Sequence, residues 1–156
     1  MKFDKHFPTA QLKDYIKYYV VSEHDLESEY KVLPSSGLVI GFQYKGQLAS
    51  IKDSNINKLS SAGVTGITDR YKIFKNSADI GTILVYFNEI GFAHFASNPA
   101  NELFDSHISL DYIFEKNQVH EVEEKLKSAA SDKPRIKIVE QFLLTQLKDI
   151  QVDKLI

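Results

Sequence analysis

Residues 37–46 read GLVIGFQYKG, and this stretch decides the fold class. Leu38, Ile40, Phe42 and Tyr44 recur at every second position, so an extended chain carries all four on one face. The β-branched and aromatic residues suit a pleated surface. Pro34, Ser35, Ser36 and Gly37 predict a turn before the run, and Lys45 and Gly46 predict its end. A strand over 38–44 with one buried side follows.

Working outward, DYIKYYVVSE (14–23) is dense in Tyr, Val and Ile and reads as a second strand, entered through a short helical turn after Pro8 and Thr9. RYKIFK (70–75) alternates well enough for a third. NSAD is a turn, and IGTILVYF (80–87) is apolar enough to predict a strand buried on both faces. Residues 52–69 mix turn residues with short apolar islands and leave strand edges undetermined. Turn-separated strands through residue 88 make the pattern of a sandwich or barrel.

The texture then changes. Pro99 marks the start of a small helical piece, PANELF, and Ser109 is a candidate cap for SLDYIF (109–114). Val119, Val122, Leu126 and Ala129 recur at spacings of three and four between charged residues, which predicts an amphipathic helix over 118–130. A second helix is expected over 134–149, with Asp132 as cap and Pro134 in the first turn. On it Ile136, Val139, Leu143, Leu147 and Ile150 form one stripe. Ile138, Phe142 and Leu144 lie outside that stripe and widen the apolar surface to roughly 240°. A helix lying on one core needs only about 100°, so this helix is expected to pack against more than its own barrel.

Composition bounds what such a domain does. A chain of 156 residues buries about two thirds of its unfolded surface as one domain. Net charge is -2, without the basic footprint of a nucleic-acid binder. Cysteine is absent, which removes disulfides, thiolate zinc and a thiol nucleophile, and fits a reducing compartment. No leader-like or membrane-spanning run is present, so a cytoplasmic location without membrane attachment is expected.

Motifs for chemistry are thin. The histidines at 6, 24, 94, 107 and 120 form no HxH, HxxxH or HExxH spacing, and no metal or other cofactor is expected. His94 sits among apolar residues and reads as a hydrogen-bonded core histidine. PSSGL and LSSAG are turns, and GVTG lacks the rest of a phosphate loop. The acidic pairs Glu123/Glu124 and Asp105/Asp111 read as solvated faces. The helical pair does not suit DNA reading, because only Arg135 and Lys137 are polar at the start of the second helix. Eight Tyr and ten Phe, many on the strands, leave either a filled core or an apolar pocket with a few hydroxyls. For a pocket, Phe42, Tyr44 and Tyr86 are the ligand-binding candidates.

Taken in order, YIKYYVVSE, VLPSSGLVIGFQYKG, GTILVYF followed by Gly91, NPANELFDSHISLDYIF and VHEVEEKLKSAASDKPRIKIVEQFLLTQL resemble the N-terminal sensor domain of AraC-type transcriptional regulators, over about residues 8–148. The resemblance implies an α+β domain: a cupin-like, mainly antiparallel β-barrel (about 14–88) that binds a small effector, then a helical part (about 92–150) that dimerises. One sensor and dimerisation domain would span 1–150, with 151–156 a tail or the start of a linker. It places the dimer contacts at Ile136, Val139, Phe142, Leu143 and Leu147, in a homodimer. DNA would be met only through a C-terminal domain that this sequence does not include, as in an excised piece or a stand-alone sensor. The metal-binding histidines of enzymatic cupins are missing, so the expectation is a non-enzymatic regulator. The alternatives are a small metal-independent barrel enzyme and a purely structural dimerisation module.

Overall fold

A computed structural model describes residues 1–33, 37–96 and 107–147. The turn expected at 34–36, the piece PANELF, Asp105 and Ile150 lie outside these residues. Among the described residues ten strands form two antiparallel sheets, followed by two α-helices. The strands are β1 (Lys2–His6), β2 (Ile16–His24), β3 (Ser28–Val32), β4 (Val39–Lys45), β5 (Leu48–Lys52), β6 (Asn55–Lys58), β7 (Ala62–Thr65), β8 (Lys72–Asn76), β9 (Ile80–Phe87) and β10 (His107–Ser109). The first sheet runs β1-β2-β9-β4-β7-β10 and the second β3-β8-β5-β6. The chain crosses repeatedly between them. One crossing is the β4–β5 turn, where Gly46 has φ +80° and a Cβ would lie 2.8 Å from the Ile80 Cα, so only glycine fits.

The expected barrel is therefore two facing sheets: among the described residues no strand pairing closes them into one hydrogen-bonded circuit. The sheet strands and their antiparallel sense follow the expectation. Some edges do not. β2 begins at Ile16 because residues 9–16 turn, with Leu12 and Lys13 N–H both donating to the Thr9 carbonyl at 3.0 Å. β8 begins at Lys72, after a local turn in which Thr68 Oγ1 donates to the Arg70 carbonyl. β9 is not buried on both faces: Ile83, Val85 and Phe87 are buried, while Thr82, Leu84 and Tyr86 are half-buried.

Helices α1 (Lys116–Ser128) and α2 (Asp132–Gln146) cover one face of the six-stranded sheet. That face presents Tyr19, Val21, Ile40, Phe42, Ile83, Val85 and Val64 to Val119, Val122 and Leu126 of α1 and Val139, Phe142 and Leu143 of α2. Phe142 sits edge-on to both Phe42 (6.1 Å) and Phe114 (5.5 Å), an arrangement aromatic rings favour. One cap assignment differs from expectation. Ser131, not Asp132, is the N-cap residue of α2, and neither end-cap side chain there makes a cap bond. The Asp132 carboxylate is instead taken by Lys2 Nζ (2.6 Å) and Arg135 Nη1 (3.1 Å). Ser109 ends β10 and is the N-cap residue of a single 3-10 turn, Leu110–Tyr112, as expected, though its side chain makes no cap bond.

Candidate functional site

Register decides which side chains meet. Cross-strand partners Tyr18↔Tyr86, Tyr86↔Val39, Val39↔Thr65 and Thr65↔His107 align one row across β2, β9, β4, β7 and β10. The row lies on the face turned away from the helices, toward the second sheet, since Tyr86 interacts with Tyr30 of β3 and His107 with Lys72 of β8. The neighbouring row is Val20, Leu84, Gly41, Gly63 and Ser109.

Gly63 is there for space. A Cβ on it would stand 2.5 Å from His107 Nε2, whereas one on Gly41 would only touch Leu84 Cδ2 at 3.4 Å. The missing side chain at Gly63 lets the imidazole lie down on the β7 backbone. Its Nδ1 shares a hydrogen bond with Thr65 Oγ1 at 3.1 Å, and its buried Nε2 has no partner among the described residues. Burial, then the nearby Lys72 ammonium, hold His107 below the usual histidine range, so the ring is neutral at pH 7.

The tyrosines supply flat walls and hydroxyl tips. Tyr18 and Tyr86 rings are 4.9 Å apart, Tyr30 and Phe74 are 6.0 Å apart, and Lys5 Nζ stands 4.3 Å from the Tyr18 centroid. Burial raises the hydroxyl pKa of Tyr30 and of Tyr86, each with help from a neighbouring tyrosine, so both remain proton donors. Among the described residues none of these three hydroxyls has a hydrogen-bond partner. The result is a half-buried aromatic face edged with donors and a neutral imidazole.

The sequence candidates divide between the two faces. Tyr86 is in this row, but Phe42 and Tyr44 are on the opposite, helix-covered face, so the sheet itself separates them. Phe42 is core. Tyr44 belongs to a polar junction: its hydroxyl donates to Glu23 Oε2 at 2.5 Å, and the Arg135 guanidinium lies 4.1 Å above its ring. Gly81 is glycine because a Cβ would stand inside that ring. Burial and the Glu23 hydrogen bond push the Tyr44 hydroxyl well above its ordinary range. A second junction is more deeply buried. Glu140, on the sheet-facing side of α2, accepts from Tyr19 Oη (2.9 Å) and from the Thr9 backbone N–H (3.0 Å).

Of the dimer candidates, Val139, Phe142 and Leu143 are fully committed to the chain's own core, while Ile136 and Leu147 are half-buried at its margin. Most of the surplus apolar surface of α2 is thus used by the sheet below and α1 beside it. Ile138 lines a shallow groove of about 410 Å³ between the helices, with Glu124, Lys125, Ser128, Ala129 and Pro134. His94 is half-buried against the Tyr15 ring at 4.6 Å, with Nδ1 unpartnered among the described residues. No group of three or more His, Asp or Glu among the described residues is placed to hold a metal ion, and no described helix is long and apolar enough to cross a membrane.

His107, Thr65, Tyr18 and Tyr30 went unmarked in the sequence. The available signal was the glycine inside each of two strand runs, LVIGFQY and AGVT, which marks close approach by another group.

The architecture is that of a two-sheet antiparallel domain with a C-terminal helical pair. Residues 4–109 match the family described as Domain of unknown function (DUF6597), and the chain belongs to that family. The match spans both sheets, from β1 to β10, and stops short of the helices. No curated protein matches the chain. Among solved structures it is similar to apo ToxT K231A from Vibrio cholerae, at 12% identity and TM-score 0.47, covering 88% of this chain and 54% of that one. It is also similar to the EutQ protein of Clostridium difficile, at 18% identity and TM-score 0.38, covering 56% of this chain and 67% of that one. The chain thus spans about half the length of the ToxT chain.

Proposed function

We propose that this chain is the effector-sensing and dimerising domain of an AraC-type regulator, acting by binding rather than by catalysis. The observation that carries the reading is the row Tyr18–Tyr86–Val39–Thr65–His107, in which the Tyr18 and Tyr86 hydroxyls and His107 Nε2 lack hydrogen-bond partners among the described residues although the face is half-buried. A filled structural core satisfies its polar groups, whereas a ligand site leaves a few donors for its guest. The effector lies between the sheets. Its occupancy is read out on the other side of the same sheet, where adjacent Tyr19 connects β2 to Glu140 of α2. For this to regulate, the effector must bind one arrangement of sheet and α2 more tightly than another. Two copies associate through the margin of α2 left half-buried in the single chain, Ile136, Ile138, Leu144 and Leu147, and an attached DNA-binding domain follows α2 in the regulator.

The test is a metabolite screen by thermal unfolding. A genuine effector at 100 times its Kd stabilises the fold by about 2.7 kcal/mol, a readily seen rise in Tm. Tyr86→Ala should remove that rise. A protein whose Tm no compound moves is not a sensor and is left as a structural module. For the homodimer, light scattering should report twice the chain mass, falling to one chain in Ile138→Glu/Leu147→Glu. A wild type of one chain mass at all concentrations removes the homodimer.

A further inference from the structure

The ring of Tyr18 already carries a cation. It lies 4.9 Å from the ring of Tyr86, and Lys5 Nζ stands 4.3 Å from its centroid. Lys5 reaches it from β1, where it pairs with the buried Val20 and shares the inner face of the strand with Phe3. A closed core would put carbon against that ring, and here an ammonium is there instead. Asp4, between Phe3 and Lys5 in sequence, pairs with Val21 and so lies on the helix side. Among the described residues Lys5 makes no ion pair, and the Tyr18 ring is its partner.

The aromatic surroundings come from both sheets. Tyr18 and Tyr86 belong to β2 and β9, while Tyr30 of β3 lies 6.0 Å from the buried Phe74 of β8 and is acted on electrostatically by Tyr86 across the gap. β1 and β3 are edge strands of their sheets, and on them Phe3 is 57% and Tyr30 43% exposed. Among the described residues this side of the sheet pair is therefore open to solvent, with Lys5 at its mouth.

Building on the sensor reading, we infer that the effector is a small organic cation, a quaternary or N-methylated ammonium, that displaces Lys5 Nζ from Tyr18 and is held against Tyr18, Tyr86 and Tyr30. Tyrosine faces are electron-rich and attract a cation within about 6 Å of the centroid, more strongly as water is excluded. A lysine ammonium is compact and strongly hydrated, so the exposed Lys5 returns to water at little cost. A quaternary ammonium spreads the same charge over methyl groups, gives up its water more readily, and is the kind of cation that aromatic cages recognise. An anion would meet ring faces of its own sign, and an uncharged guest would remove the Lys5 contact without replacing it.

The experiment is calorimetric titration of the whole chain with choline and phenyltrimethylammonium, each set against an uncharged molecule of like shape, 3,3-dimethyl-1-butanol and 2-phenyl-2-propanol, with benzoate as the anion. The expected result is saturable binding by at least one of the cations, about tenfold or more weaker binding by its uncharged counterpart, and none by benzoate. Lys5→Ala clears the ring face and should tighten cation binding by about two- to fivefold, the share of one exposed cation–π contact. Lys5→Arg should return it to the wild-type value. Tyr18→Leu should abolish cation binding and Tyr18→Phe should keep it. Lys31→Ala, which removes the ammonium 4.8 Å from the Tyr71 centroid, should change nothing. Uncharged counterparts binding as tightly as the cations, or Lys5→Ala binding them no better than the wild type, would overturn the inference and leave the sensor reading standing. So would a chain that binds neither cation yet is stabilised by other compounds in the metabolite screen. A chain stabilised by nothing in either experiment loses both.

Discussion

The two faces of the six-stranded sheet are built from the same strands and finished differently. On the helix side Ile40, Ile83, Val85 and Leu143 are each 0% exposed, and the buried carboxylate of Glu140 has two donors. On the side facing the second sheet, Tyr18 and Tyr86 are half-buried, their hydroxyls have no hydrogen-bond partner among the described residues, and Gly63 makes room for a histidine whose Nε2 has none either. The helix side also leaves His6 Nε2 and Arg135 Nε without a hydrogen-bond partner among the described residues, but both lie at its margin and its centre is closed; the side facing the second sheet leaves its unpaired groups on a half-buried face, available to something else. The contrast is a division of labour across about one sheet thickness, and substitutions on the two sides should differ in kind.

The largest effect is expected on the helix side. Leu143→Ala opens a cavity beneath α2 and should cost about 3–5 kcal/mol by urea unfolding, against less than about 1 kcal/mol for the half-exposed Ile138→Ala. Equal losses at both positions would mean that the two margins of α2 are buried alike. Next comes the Glu140 junction. Glu140→Ala leaves the buried Tyr19 hydroxyl and the part-buried Thr9 N–H without this acceptor, a loss of about 1–3 kcal/mol. In a double-mutant cycle Tyr19→Phe should recover part of it, with a coupling of about 0.5–3 kcal/mol, and strict additivity would show that the bond contributes nothing specific.

On the inner side, Gly63→Ala forces the imidazole of His107 to move and should cost about 1–3 kcal/mol through overpacking. His107→Ala made in the same chain should relieve most of that cost. If it does not, the strain lies in the β7 backbone. The smallest effect is that of pH. His107 is held below its ordinary value, so below pH about 6.5 the unfolded chain binds a proton that the folded chain refuses. Stability is therefore full above that value and falls as the pH drops from it toward the depressed folded one. His107→Gln should flatten the profile in that window, as measured by Tm against pH.

Much of this fold was legible. β4, β9 and the two helices announce themselves by periods of two and of three to four, and their boundaries moved by only a few residues. The strands that were missed lack such a signature. β1, KFDKH, is largely polar and exists because all five of its residues pair with β2. The β5–β6 hairpin turns at Asp53 and Ser54, both with positive φ (52° and 67°), where glycine or asparagine would have flagged the turn. The site was only half legible for a related reason. Alternation shows which residues of one strand share a face, but the pairing register decides how neighbouring strands match. Val39 opposes Tyr86, so odd positions of β4 align with even positions of β9. Phe42 and Tyr44 therefore lie on one side and Tyr86 on the other. The breadth of the apolar surface on α2 was read correctly as an excess over one contact, but α1 and the sheet claim most of it within the chain.

The Thr9–Glu140 bond joins residues 131 apart, and that separation sets a schedule. At about 5–20 residues per second of synthesis, the acceptor for the Thr9 N–H and the Tyr19 hydroxyl is made roughly 7–26 s after Thr9 itself. Throughout that interval the apolar face awaiting α2 has no cover, and the growing chain is a sheet with one bare side. Of the two described helices α2 is the later to be made and is the one that closes it, so conditions that slow or stall translation between the strands and α2 should fall hardest on this domain.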